Sequence, residues 1–576
     1  MDAAATAIAH RPTIAGTRHM VSAGHYLASH AAFAILEAGG NAIDAGVAAG
    51  IALGVLQSDI VNVAGVAPIL VKPAGEDRVW SVSGLGGWPR ALDPTLFQRA
   101  HGGAIPAGLL RTVVPAAPAA WIAALARWGT MGFGEVAAAA TRFAGEGFAM
   151  YPLMAESLAN NQASLARWPS TAAIYLPGGW PPRAGESFVL EDLARSLRYM
   201  ADEERRVAAT RGRAAGLRAA RDAFYAGDIA RTIVRFHEEN GGLLRAEDLA
   251  SFEPEIEPAV ATRFRGIDVH SCPAWCQGPV LGMMLRLVDG LDLAGMGHNS
   301  PAYMHAVAEA MKLAFADREA FFGDPRFVDV PLDMLLSEDY AARRRALIRP
   351  DRAWPGMPPS GREGAATPPG SPGAPPPPRD TSYACVVDAA GNVFSATPSD
   401  VAMDSPVIPG TGLCPSSRGS QNWADPAHPS GVAPGKRPRL TPSPALAIGR
   451  EGPHAGMAMP FGTPGGDVQL QAMLQVFLNI AVFGMGEQEA VEAPRFATHS
   501  FPDSFEPHRY QPGWLNLESR LPRASGEALA ALGHDVHWWP DYVWRAGAVC
   551  VVRRDPASGF LLGGADPRRP CYAMGW

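Results

Sequence analysis

A threonine hydroxyl is a weak nucleophile unless a base lies beside it. One position in this 576-residue chain could supply both groups from a single residue. Thr381 stands in Arg379-Asp380-Thr381-Ser382-Tyr383-Ala384-Cys385-Val386-Val387-Asp388. Ahead of it, residues 354–379 are rich in proline and glycine and include Pro375-Pro376-Pro377-Pro378. Such a segment neither continues a helix nor pairs inside a sheet. After it the pattern changes at once. Thr381, Tyr383, Cys385 and Val387 alternate with Ser382, Ala384 and Val386, as in a strand. Ala389-Ala390-Gly391-Asn392 is turn chemistry, and residues 393–397 read as the returning strand. A cut between Asp380 and Thr381 would put a hydroxyl and a free α-amine on one residue at the start of that hairpin. An α-amine, with an ordinary pKa of about 7.7–8.0, is partly neutral near pH 7 and can act as the base.

The elements that must hold this hairpin are a mixture of helices and strands. Residues 27–57 read as two alanine-rich helices joined at Gly39-Gly40-Asn41, with glycine ending the first and Asn41 capping the second. The small residues of the second would let it pack closely on a sheet. Strands are expected at 60–72, 78–83, 264–270, 549–553 and 560–563. Helices are expected at 118–128, 133–144, 201–221, 228–239, 281–291, 302–322 and 469–483. The mixture implies a layered α+β fold, without internal repeats.

Apolar residues make up 47% of the chain, enough for a large core, and the net charge of −7 leaves no electrostatic footprint for nucleic acid. No apolar run reaches the ~20 residues of a membrane span. Residues 1–18 lack a basic-then-apolar signal pattern, so a cytoplasmic location is the default expectation. Six scattered cysteines in so long a chain are no disulfide framework. His270, Cys272 and Cys276 have no second cysteine pair to complete a metal site and read as core or loop. No cofactor is expected: Gly84-x-Gly86 is an incomplete phosphate-binding pattern and reads as a loop.

Several runs, in this order, resemble the γ-glutamyltransferase family of N-terminal-nucleophile hydrolases. They include Gly39-Gly40-Asn41-Ala42-Ile43-Asp44-Ala45, Phe224-Tyr225-Ala226-Gly227-Asp228, Glu309-Ala310-Met311-Lys312-Leu313-Ala314-Phe315-Ala316-Asp317-Arg318 and Pro434-Gly435-Lys436-Arg437-Pro438. Gly462-Thr463-Pro464-Gly465-Gly466 and Ala565-Asp566-Pro567-Arg568 complete the series. The resemblance implies a four-layer αββα sandwich formed jointly by two fragments of one precursor. It also implies self-cleavage between Asp380 and Thr381, without a metal or other cofactor. Residues 1–353 would be the large-subunit region, 354–380 a linker ending at the cut, and 381–576 the small-subunit region. The fragments would stay associated, with room for a higher oligomer of the processed pair.

The same resemblance assigns further roles. Thr381 is the nucleophile, Ser399 supports its amine, and the N–H groups of Gly465 and Gly466 receive the oxyanion. Arg90, Arg418 and Thr441 are the substrate-binding candidates. The chain departs from γ-glutamyl enzymes where their α-ammonium site should be. Val401 replaces an asparagine, and no acidic residue lies between Pro415 and Ala424, where Arg418 adds a positive charge. Leu440 and Thr441 replace a serine pair. These departures resemble the branch that includes oxamate amidohydrolase and relatives of cephalosporin acylases. They imply an amidohydrolase for a small acyl group carrying a carboxylate, which Arg418 would bind. A γ-glutamyltransferase or glutathione hydrolase is the alternative, and a non-catalytic member the second.

Overall fold

The computed structural model describes residues 9–364 and 380–576. Most of the proline- and glycine-rich stretch, residues 365–379, lies outside them. Two antiparallel seven-stranded sheets form the centre. Their strands in chain order are β1 (Ile14–Gly16), β2 (Met20–Ala23), β3 (Ile69–Lys72), β4 (Trp80–Val82), β5 (Ile256–Pro258), β6 (Val260–Phe264) and β7 (Ile267–Ser271). After Thr381 come β8 (Ala384–Val387), β9 (Val393–Ala396), β10 (Ala445–Gly449), β11 (Ala458–Gly462), β12 (Cys550–Arg554), β13 (Leu561–Ala565) and β14 (Tyr572–Gly575). One sheet runs β14-β2-β8-β9-β3-β4-β5 and the other β1-β13-β12-β11-β10-β7-β6.

The side-chain period of two sorts each strand between two cores. In the first sheet Val21, Ala384, Val386, Phe394 and Ala396 face a helical layer that includes α1 (Tyr26–Glu37) and α2 (Ala42–Leu56). Their neighbours Met20, Tyr383, Cys385, Val387 and Val393 face the second sheet. The far side of that sheet is covered by α3 (Gly278–Asp289), α4 (Pro301–Phe321) and α5 (Val468–Ala481). The result is the expected αββα order of layers. Cys272 and Cys276 belong to the core between the sheets. No helix among the described residues is long and apolar enough to cross a membrane.

Strands from both sides of residue 381 share each sheet: β8 pairs with β2 and β9 with β3 in one, β13 with β1 and β10 with β7 in the other. The regions 1–353 and 381–576 are therefore not separate folding units. A cut chain would remain joined by both sheets. The entrance to the linker is also tied down. Glu309 on α4 accepts from Trp354 N at 3.0 Å, Lys312 Nζ donates to Trp354 O at 2.8 Å, and Asp317 accepts from Gly361 N at 2.7 Å.

Local chemistry explains the elements around the hairpin. Asn41 caps α2 by accepting from Ile43 N and Asp44 N, and Asp44 returns the bond by accepting from Asn41 N. Gly46 lets the helix reach the sheet, because a Cβ there would lie 2.1 Å from the Phe394 ring. The β8–β9 turn closes on Asp388, whose carboxylate accepts from Asn392 N and from the start of α2 at Ala42 N.

Three expected elements differ. Residues 60–72 contain a strand only from Ile69, since Gly65 turns the chain against the backbone of Ser399; a Cβ there would lie 2.3 Å from that carbonyl oxygen. The helix expected over 201–221 is two helices, Glu191–Arg211 and Arg213–Tyr225, broken at Gly212 with φ +77°. The strand expected over 264–270 is the β6–β7 hairpin, turning at Arg265 and Gly266, both with positive φ.

Gly462 ends β11 against Tyr383, two residues beyond Thr381; a Cβ there would lie 2.4 Å from the ring. Gly462→Ala is expected to cost about 1–3 kcal/mol by overpacking, read as a lowered melting temperature. Unchanged melting would mean that this contact does not constrain the hairpin.

Candidate active site

Thr381 sits just outside β8, where the hairpin ends meet a third segment. Backbone bridges join Thr381 to Ser399 and Ser399 to Val66, continuing the order β8, β9, β3 past the ends of the strands. Ser382 N donates to Pro398 O at 3.0 Å, and Ser399 and Val66 exchange N–H···O bonds of 3.0 and 3.1 Å. The sheet thereby lines up the two hydroxyls. Thr381 Oγ1 and Ser399 Oγ are 2.8 Å apart, and both residues are buried.

Proton positions follow from the partners. Ser399 Oγ donates its single proton to the carbonyl oxygen of Asp380 at 3.0 Å, because a carbonyl can only accept. Arg418 Nη2 donates to Ser399 Oγ. The remaining bond must then run from the Thr381 hydroxyl to Ser399. One path leads from the Thr381 hydroxyl through Ser399 to the carbonyl oxygen of the Asp380–Thr381 peptide. As Thr381 Oγ1 approaches the Asp380 carbonyl carbon, its proton can pass to Ser399 while the proton of Ser399 passes to the carbonyl oxygen. The buried guanidinium favours negative charge on Ser399 during that exchange.

Asp400, adjacent to Ser399, was not anticipated. It holds φ at +145°, a strained conformation for a side-chain-bearing residue. Its carboxylate accepts from Ser416 Oγ at 2.6 Å and from Ser417 N and Oγ at 3.0 and 2.9 Å, and lies 3.6 Å from Arg418 Nε. Burial raises its pKa, while Arg418 and the two serines oppose the rise. Asp400 thus fixes the short turn Arg418–Gln421 against the strand that carries Ser399.

The other candidates fall at different distances from this centre. Gly465 and Gly466 lie in the loop between β11 and α5 with φ of +124° and +56°. Their carbonyls accept from Val468 N and Gln469 N, while neither of their own N–H groups meets a protein acceptor among the described residues. Two donors are left for an incoming oxygen. Asp467, next in the loop, is held by Arg318 of α4 and by Ser504. Thr441 is buried and reaches the turn of Arg418 from another side, accepting from Gln421 Nε2 at 2.7 Å.

Arg90 is not part of the cluster. It is exposed, donates from its backbone to Asp248 and from its guanidinium to Ser251, and lines a different cleft with Trp88 and Arg437. Thr381 is not among the residues that line that cleft. The loop after Gly86-Gly87 turns outward before residue 90.

Asp380 opens on a cavity of about 430 Å³, lined also by Asp59, Tyr151, Ser157, Val401 and Trp544 among others. Asp380 accepts from Thr381 N at 2.8 Å through Oδ1 and pairs through Oδ2 with Arg569. Burial raises its pKa and Arg569 opposes the rise. Asp59 has no such partner on Oδ1 among the described residues. Burial pushes its carboxyl up to about 7, a hydrogen bond from Ser157 lowers it, and the charge of Asp380 raises it further.

A carboxyl that titrates at about 7 in the fold and near 3.8 in the unfolded chain binds more protons when folded between those values, so its contribution to stability falls as pH rises through that window. Asp59→Asn is expected to be more stable than the parent by a margin that is small at pH 4 and on the order of 4 kcal/mol at pH 8. Denaturation at both pH values checks this, using the uncut Thr381→Ala chain, in which Asp380 keeps its place. A margin independent of pH would contradict a buried neutral acid.

The sequence profile of gamma-glutamyltranspeptidase matches residues 28–576. The chain belongs to the γ-glutamyltranspeptidase family. An acylase ACY 1 proenzyme of Pseudomonas sp. (strain SE83) is 33% identical over 96% of this chain and 92% of its own length. The glutathione hydrolase-like YwrD proenzyme of Bacillus subtilis (strain 168) is 30% identical over 98% and 99%. The crystal structure of a cephalosporin acylase from Bacillus halodurans superposes with a TM-score of 0.85 at 28% identity, covering 100% of this chain and 99% of that one. With these relatives the fold is that of the family's N-terminal-nucleophile hydrolases, and the protein is an enzyme, an amidohydrolase made as a self-processing precursor.

Proposed function

We propose that Thr381 cuts its own link to Asp380 and then hydrolyses amides of a small acyl group bearing a carboxylate. The observation that carries the reading is the path from the Thr381 hydroxyl through Ser399 to the Asp380 carbonyl. In the first stage Thr381 Oγ1 bonds to the Asp380 carbonyl carbon as the C–N bond breaks, which leaves an ester and a free α-amine on Thr381, and water then hydrolyses that ester to release Asp380 as a carboxylate and restore the hydroxyl. In the second stage the free amine takes the hydroxyl proton as the oxygen attacks a substrate carbonyl. The developing oxyanion turns to the N–H groups of Gly465 and Gly466. Water then resolves the ester.

Arg418 supports an acidic rather than an amino-acid donor. It is buried beside Ser399 with donors that suit a carboxylate, and Asp400, the acid beside it, is already engaged by Arg418, Ser416 and Ser417 rather than open to an α-ammonium. The acylase and cephalosporin acylase names among the relatives support the same side of the choice. Thr441 joins the wall behind Arg418 through Gln421. N-terminal sequencing of the small fragment tests the first stage and should begin at Thr381. Turnover of glutaryl, oxamate and γ-glutamyl amides tests the second. Turnover of γ-glutamyl-4-nitroanilide alone would replace this reading with a γ-glutamyl hydrolase or transferase.

A further inference from the structure

We propose that Arg569 reads the carboxylate of the acyl group, and that the preferred acyl groups carry it two carbons beyond the reacting carbonyl, as succinyl does. The proposal rests on the reading above and narrows its substrate class. The precursor bond is the enzyme's own first substrate. Attack on Asp380 gives an ester of its carbonyl with Thr381 Oγ1, and every later acyl-enzyme is the same ester with another acyl group.

The first acyl group held there is aspartyl, in which Cα and Cβ separate the reacting carbonyl from the side-chain carboxylate. That carboxylate pairs with Arg569, and both residues are buried. Arg569 is fixed independently of Asp380. Its Nη2 donates to Trp544 O at 3.1 Å, its guanidinium lies 5.3 Å from the Trp544 ring centroid, and it stands between β13 and β14 of the two sheets.

Departure of Asp380 strips a buried guanidinium of its countercharge, a costly state, at the wall of the 430 Å³ cavity that Asp380 and Trp544 line. A substrate carboxylate at the same separation restores the pair. Asp59 on that cavity does not oppose it below about pH 7, because burial keeps its carboxyl protonated. The chemistry balances. The amide and the Thr381 hydroxyl give the succinyl ester and the free amine, and the ester and water give succinate and the hydroxyl.

The test compares malonyl, succinyl, glutaryl and butyryl 4-nitroanilides as substrates of processed protein whose small fragment begins at Thr381. The expected kcat/KM for succinyl exceeds malonyl and glutaryl at least tenfold and the uncharged butyryl amide about a hundredfold. In Arg569→Gln the succinyl-to-butyryl ratio collapses towards one, chiefly through KM, and Arg569→Lys recovers part of it. Because Arg569→Gln leaves Asp380 unpaired in the precursor, the double variant Asp380→Asn/Arg569→Gln provides a processed form without that burial.

Monomethyl succinate and its dimethyl ester, tried as inhibitors of the processed parent, give a readout needing no variant. The monoester should bind at least tenfold more tightly. Preference for glutaryl, equal inhibition by the two esters, or an unchanged ratio in the variants overturns the assignment while amide turnover by the parent still stands. A parent chain that stays uncut, or hydrolyses none of the four amides, removes the reading beneath it and this proposal with it.

Discussion

Thr381→Ala is expected to remain one 60.7 kDa chain and to hydrolyse no amide above background. The substitution deletes the only atom that can form the ester in either stage, so both losses must occur together. The fold should survive it. The backbone bridge between residues 381 and 399 does not depend on the side chain, and Ser399 still donates to the Asp380 carbonyl. Thr381→Ser keeps the oxygen and should cut and turn over more slowly, since the γ-methyl no longer restricts the hydroxyl to one rotamer. Intact mass after prolonged incubation decides the first stage, and an amide assay on the same sample decides the second. A Thr381→Ala chain that separates after residue 380 would show that another group attacks there. An uncut but active chain would break the link between the two stages.

The hairpin and the paired helices before it were legible because each has a local signature, while the αββα order of layers followed from the family resemblance. Asn41 follows two glycines and precedes Asp44, and period-two alternation begins where the proline run stops. What the sequence hid was anything decided by long-range burial. Asp59 and Asp400 look like ordinary surface acids in a window of residues, yet one lines the cavity with a carboxyl that burial pushes up to about 7 and the other anchors Arg418. Arg569 is one of several arginines near the C-terminus, and only the pairing of β14 with β2 brings its neighbourhood to Asp380. For Arg90 the limit is the converse: its type suits a carboxylate, but spacing from a glycine pair carries no information about which way a loop turns, and the structure places it in a cleft with Trp88 and Arg437. Ser399 was legible through the match to a family threonine, whereas its role as a relay emerged only from the partners of its oxygen.

That relay sets the second large effect. Ser399→Ala removes the acceptor of the Thr381 proton and the donor to the Asp380 carbonyl in one step. General acid–base contributions are typically 10²–10⁴-fold, and the rate of self-cleavage is expected to fall by roughly that amount. Ser399→Thr retains the oxygen and should recover most of the rate. The contrast separates a relay from a packing role, because threonine changes the volume further than it changes the chemistry. In Ser399→Ala the guanidinium of Arg418 also loses one acceptor, while Asp400 remains beside it. The charge therefore stays neutralised, and the fold has no reason to open. The measurement is the fraction of uncut chain against time after synthesis, followed by denaturing electrophoresis. Equal rates for alanine and threonine at residue 399 would move the proton path away from this hydroxyl, leaving the free amine of Thr381 as the only base the site supplies, and then only after the cut.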